Sequence, residues 1–146
     1  EGDEEENLRA IADSLGVASK ITWYGGTVDE AKIADIANRC AVFVYPGEVG
    51  LSLIHAMGYG LPSIVHDDSL RHMPEIAAFE NGMTGLTFDY GSVNSLSQSL
   101  AKLLFNPLLR QNMSCRCLEV TEDCFNTDHM TKRFIEFLEV CKVRWQ

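Results

Sequence analysis

No stretch of the chain approaches the roughly 20 uninterrupted apolar residues that a membrane-spanning helix needs. Nor do the five cysteines, Cys40, Cys115, Cys117, Cys124 and Cys141, contain a CxxC pair. The odd count and the missing pair argue against a disulfide framework and against a zinc site, so reduced thiols in a cytoplasmic protein are expected. Positive charge is scarce: 12 Lys and Arg stand against 21 Asp and Glu, a formal net charge of −9. No Lys/Arg stripe with interleaved aromatics offsets this balance, which would repel a phosphate backbone; nucleic acid is therefore not an expected partner. The acidic run Asp3-Glu4-Glu5-Glu6 reads as a solvated helix start, where negative charge suits the helix dipole. There is no signal-peptide pattern, internal repeat, low-complexity tract or linker. The chain opens at Glu1 rather than Met, so it reads as a fragment or a processed product.

What is present, 146 residues with 46% hydrophobic and 23% charged, suits one globular domain over residues 1–146. Leu8, Ile11, Ala12 and Leu15 fall at helical spacing, with Gly16 as the stop. Ile21 to Tyr24 reads as a short strand ended by Gly25-Gly26. Thr27 with Glu30 suggests a capping box in front of Ile33, Ile36 and Ala37. Ala41 to Tyr45 is a continuous apolar run of the kind found in parallel strands covered on both faces. A helix is expected from about Gly50 to Tyr59, a strand at Ser63 to His66, and a helix from Pro74 that includes Ile76, Ala77 and Phe79. Leu86 to Phe88 is a weaker strand. Three helices finish the chain: one capped by Ser92, one from Pro107, and one from Thr127 that carries Met130, Phe134, Leu138 and Cys141. The alternation predicts an α/β, Rossmann-like parallel sheet flanked by helices.

Chemistry concentrates in Val44 to Met57, where a buried strand breaks at Pro46-Gly47 and enters a helix through Gly50. Such a turn, at the C-terminal edge of a parallel sheet, offers free backbone N–H groups to a diphosphate or another anion. Gly50 has no Cβ to hold a ligand away. Tight strand-to-helix packing alone would produce the same pattern.

The segment Pro46 to Met57, followed by Tyr59-Gly60-Leu61-Pro62, resembles the donor-site signature of group 1 (family 4) retaining glycosyltransferases. The likeness continues through Pro74-Glu75-Ile76, Asn81-Gly82 to Phe88, and Ser92 to Leu104. Upstream it takes in Gly2-Asp3, Leu8, Leu15-Gly16-Val17 and Ile21 to Gly25, so that it spans most of residues 2 to 113. The resemblance implies the C-terminal half of a GT-B fold, truncated at its N-terminus. It implies transfer of a glycosyl group from a nucleotide-diphosphate sugar (UDP-, GDP- or ADP-sugar) to an acceptor hydroxyl, in glycan biosynthesis and without a metal cofactor. The partner domain would be the N-terminal acceptor-binding domain of the same protein, and the chain alone would be inactive. The sheet would then be rearranged, incomplete, or completed by a dimer.

In that resemblance the diphosphate-binding set is Gly47, Glu48, Val49, Gly50, Leu51, Ser52 and His55, with Tyr24, Gly25, Thr27 and His66 as further donor-cleft residues. The family's two glutamates, eight positions apart, fall on Gly47 and His55. Glu48, one place later, is the candidate sugar-contacting, catalytic carboxylate; a plain helix-start anion is the other reading. His55 can donate to or accept from a ribose or phosphate oxygen, or be satisfied by backbone or water. His66 closes a strand where ligands sit in such sheets, and Asp67-Asp68 behind it can equally cap a turn. Tyr24 is as suited to packing as to a nucleotide base. A cytoplasmic location is expected, or a peripheral one at the inner membrane for the full-length protein. Two other readings fit the same residues: a GT-B epimerase or phosphorylase relative, and a non-catalytic nucleotide-sugar-binding or interaction module.

Overall fold

A computed structural model describes residues 3–144. The chain forms two compact units, one up to Asp35 and one from Ile36 onward.

In the first unit, α1 spans Glu5–Ser14, with Glu5 and Glu6 in its first turn and an exposed Arg9–Glu5 ion pair at 2.7 Å. It stops where the sequence predicts. Gly16 takes φ 65°, its N–H donates to Asp13 O, and Val17 N–H donates to Ala12 O, both at 3.0 Å. This pair of bonds satisfies carbonyls that the helix end would leave open. The expected strand at Ile21 to Tyr24 does not form. A strand exists through its ladder partner, and no partner lies beside this segment among the described residues. Trp23 is held instead by the guanidinium of Arg9, 4.6 Å above its ring. The cap of α2 (Glu30–Ala37) is also one step removed from expectation. Asp29 Oδ1 accepts from Ala31 and Lys32 N–H at 3.1 and 3.3 Å, and Thr27 Oγ1 accepts from Asp29 N–H at 3.2 Å.

The second unit holds a three-stranded parallel sheet, order β1-β2-β3: β1 Phe43–Tyr45, β2 Ser63–His66 and β3 Gly85–Phe88. The first strand is shorter than its apolar run. Its pairing begins at Phe43, whose N–H donates to Pro62 O, and the proline that precedes β2 has no N–H to extend the ladder. β2 is buried along its whole length, as a central parallel strand should be.

Alternate residues of β2 face two cores. Val65 packs with Leu53 and Met57 of α3 (Leu51–Gly58) and with Cys117 and Val120 of α5 (Pro107–Asp123). Ile64 packs with Leu86, Phe88, Met113 of α5 and Leu103 of α4 (Val93–Leu104). Gly60, at φ 69°, lets the turn after α3 approach α5 closely; a Cβ there would lie 2.8 Å from Ser114 Oγ. Ser92 caps α4 by accepting from Ser95 N–H, and Asn106 caps α5 by accepting from Leu109 N–H ahead of Pro107.

One further element differs from expectation. The helix at Pro74 is a 3-10 segment ending at Ala78, and Phe79 is extended where its ring packs against the Val65 core. The final helix, α6 (Thr127–Arg144), forms as predicted, with Met130, Phe134 and Leu138 exposed. No helix among the described residues is long and apolar enough to cross a membrane.

Candidate functional site

The site is built where β1 ends. Tyr45 is the last strand residue, Pro46-Gly47-Glu48-Val49 turn, and Gly50 is the N-cap of α3. Val49 is fully buried among Leu53, Met57 and Val65, so this apolar anchor fixes the turn while its neighbours stay near the surface. Gly50 accepts the first helical bond, from Leu53 N–H at 2.9 Å. The amides of Gly50, Leu51 and Ser52 have no hydrogen-bond partner among the described residues. Three convergent donors at the positive end of a helix dipole are an anion-binding arrangement.

The fourth expected donor is already engaged. Val49 N–H donates to His72 Nδ1 at 3.1 Å, which removes it from a bare amide cradle. Its carbonyl is engaged too, accepting from Met73 N–H at 3.0 Å. The open side of Gly50 is also narrower than expected: a Cβ there would lie 3.3 Å from Met73 Cγ and 3.8 Å from Glu75 Oε2. The missing Cβ admits the chain's own segment 73–75, and any ligand must approach the amides from the other side.

The end of β2 supplies the second wall. His66 is buried, and neither of its ring nitrogens has a hydrogen-bond partner. Its ring stacks on His72, and Tyr90 presents an edge at 4.9 Å. Burial, then the neighbouring His72, push the His66 imidazolium down in pKa; Asp68, Glu48 and Asp67 pull the other way. Asp67 Oδ1 accepts from Tyr90 N–H at 2.9 Å, binding the two strand-end loops together. Asp67 and Asp68 therefore serve the turn. Asp68 also takes a 3.0 Å bond from Arg71 Nε.

Glu48, half-exposed, lies 3.9 Å from Arg71 Nη1, and the Arg71 guanidinium lies 4.6 Å above the Tyr90 ring. The candidate carboxylate thus has a cation beside it. Leu51 is 70% exposed. His55 sits one turn along α3, exposed, its ring 5.2 Å from that of Tyr59. Gly47 lies against the Tyr45 ring. Tyr24, Gly25 and Thr27 belong to the first unit, where Tyr24 is exposed and Gly25 has φ 68°. Sequence reasoning missed His72, Arg71 and Tyr90 as site residues; the only signal was a histidine and an arginine just beyond a strand end.

An open depression of about 400 Å³ lies elsewhere, lined by residues such as Cys40, Tyr59, Pro62 and Arg110. It occupies the opposite edge of the sheet from the one where ligands bind in such folds. Its arginine is spent on structure, Nη1 donating to Leu103 and Leu104 O at 2.7 Å. The β1–α3 turn is the candidate site. Among the described residues, no group of three or more His, Cys, Asp or Glu is arranged to hold a metal ion.

The family model "Glycosyl transferases group 1" matches residues 1–116. The chain belongs to the group 1 glycosyltransferases. No curated protein matches it in sequence. Among solved structures it is similar to sucrose-phosphate synthase from Thermosynechococcus elongatus, with a TM-score of 0.82 and 19% identity over 98% of this chain and 35% of that one. It is also similar to HepE of Anabaena in complex with UDP and glucose, TM-score 0.80 and 15% identity over 94% of this chain and 37% of that one. The C-terminal domain of LpcC from Francisella tularensis, a glycosyl transferase group 1 family protein, aligns with TM-score 0.71 and 16% identity over 86% of this chain and 64% of that one. At these identities the similarity establishes the fold: a Rossmann-like half of a GT-B architecture. The chain spans about a third of the length of the first two.

Proposed function

We propose that this domain binds the nucleotide-diphosphate sugar donor of a glycosyltransferase that moves the sugar to an acceptor hydroxyl with retention at the anomeric carbon. The observation that carries the reading is the row of unpartnered amides at Gly50, Leu51 and Ser52, opening at a strand end in a group 1 glycosyltransferase domain. Those amides hold the diphosphate and stabilise the charge that grows on it as the glycosidic bond breaks. His55 reaches a ribose or phosphate oxygen, and Glu48, oriented by Arg71, contacts the sugar. His66 borders the donor cleft at the end of β2. No metal is required in this scheme, because the amides and helix dipole supply the positive charge.

UDP bound to HepE supports a nucleotide donor, with a UDP-, GDP- or ADP-sugar each compatible with the amides. Acceptor binding and turnover belong to an N-terminal domain, so residues 1–146 by themselves bind donor without completing transfer. We place the protein in the cytoplasm or at the inner face of the membrane. A thermal-shift screen of UDP, GDP, ADP and their sugars on the full-length protein tests this directly, since a ligand of the native state raises its apparent stability. One nucleotide diphosphate stabilising the protein is the expected outcome. No response to any of them contradicts the donor-binding reading.

A further inference from the structure

The hydrogen bonds around His72 fix its chemical state. An amide N–H can only donate and a carbonyl can only accept. Nδ1 faces Val49 N–H at 3.1 Å, so it carries a lone pair. Nε2 faces His66 O at 3.0 Å, so it carries the proton. His72 is therefore neutral, as the Nε2–H tautomer, whenever both bonds exist. A proton on Nδ1 would set two N–H groups against each other.

The two bonds join elements far apart in sequence. Val49 lies 23 residues before His72, in the turn whose next three amides are unpartnered. The His66 carbonyl is the end of the central strand. A backbone bond from Met73 N–H to Val49 O, also 3.0 Å, makes the attachment two-pointed, and the stacked ring of His66 covers one face of the imidazole.

We infer that His72 is a positioning residue for the donor site: its neutral ring straps the β1–α3 turn to the end of β2 and so aims the Gly50, Leu51 and Ser52 amides at a diphosphate. This inference rests on the proposed donor-binding role for its functional consequence, though not for the strap itself. The strap acts through geometry and needs no contact between His72 and the ligand.

Three forms of the full-length protein decide it: the natural one, His72→Asn and His72→Phe. Asn Oδ1 stands one bond from Cγ, as Nδ1 does, and keeps an acceptor for Val49 N–H while losing the Nε2–H bond to His66 O; Phe loses both bonds. Hydrogen exchange at Val49 should be at least about tenfold faster in His72→Phe, with His72→Asn between that variant and the natural protein, since losing a buried bond costs roughly a factor of ten. UDP dissociation constants should follow the same order. Equal exchange at Val49 in the natural protein and His72→Phe overturns the strap.

Exchange at Ile64, in the core of β2, reports general unfolding and should not change. If it also rises in His72→Phe, the natural protein carries the test. Its His72 ring 15N signals must show an unprotonated Nδ1 and a protonated Nε2, and the opposite tautomer overturns the inference. Absence of nucleotide binding in the natural protein contradicts the proposed function, while the Val49 exchange comparison still upholds or overturns the strap.

Discussion

His66 and His72 stack with ring centroids 3.9 Å apart and planes 22° from parallel, and the inner ring, His66, has no hydrogen-bond partner at either nitrogen. Two imidazoles in van der Waals contact cannot both hold a proton without strong repulsion. The buried His66 ring in this stack therefore makes stability depend on pH.

Burial first and His72 second hold the His66 pKa below its ordinary 6.5. Below that ordinary value the unfolded chain takes up a proton that the native state refuses until a lower pH. The unfolded state binds more protons in this window, so stability falls as pH drops through it and is regained as pH rises above it. The melting temperature should fall more steeply between about pH 7 and pH 5 in the natural protein than in His66→Phe. Parallel profiles would contradict this assignment.

Gly60 is required both by its backbone and by its neighbour. Its φ of 69° disfavours any side chain, and a Cβ would meet Ser114 Oγ at 2.8 Å. Gly60→Ala should destabilise the protein by about 1–3 kcal/mol, read from urea unfolding. Adding Ser114→Ala should recover part of the loss, because it removes the contact and leaves the strained φ. Full recovery would mean that the backbone conformation costs nothing.

Cys117 is fully buried, and burial pushes its thiol up to about 12. The thiolate is the reactive form, so Cys117 should resist iodoacetamide in the native protein. Cys40 and Cys115, both exposed, should be alkylated, as peptide mass spectrometry would show. Rapid labelling of Cys117 would contradict the packing of α5 against the sheet.

Much of this arrangement was legible in the residues. Ser63 to His66, bounded by a proline and two aspartates, is the strand the sequence predicts, and Gly16 and Ser92 end and begin helices where local chemistry requires it. The failures have different causes. Ile21 to Tyr24 has a strand's composition, but a strand needs a ladder partner, which no local pattern reveals. Thr27 and Asp29 both suit a helix start, and the carboxylate two residues closer to α2 took the amides. The amide turn at Gly50 was readable from its Pro-Gly break and its resemblance to a known signature. His72 was not, because its role is set by a bond to Val49, 23 residues away. The exposed face of α6 was unreadable for the converse reason: periodicity shows an apolar stripe but not what packs on it.

The central claim is that the Gly50, Leu51 and Ser52 amides receive a diphosphate. An 15N-resolved amide spectrum of the full-length protein, titrated with UDP and in parallel with GDP and ADP, tests it most directly. One of the three should bind saturably and shift the Gly50, Leu51 and Ser52 signals more than those of the opposite sheet edge around Cys40 and Arg110. Saturable binding that leaves those three amides unmoved, or no binding by any of the three nucleotides, would contradict the account.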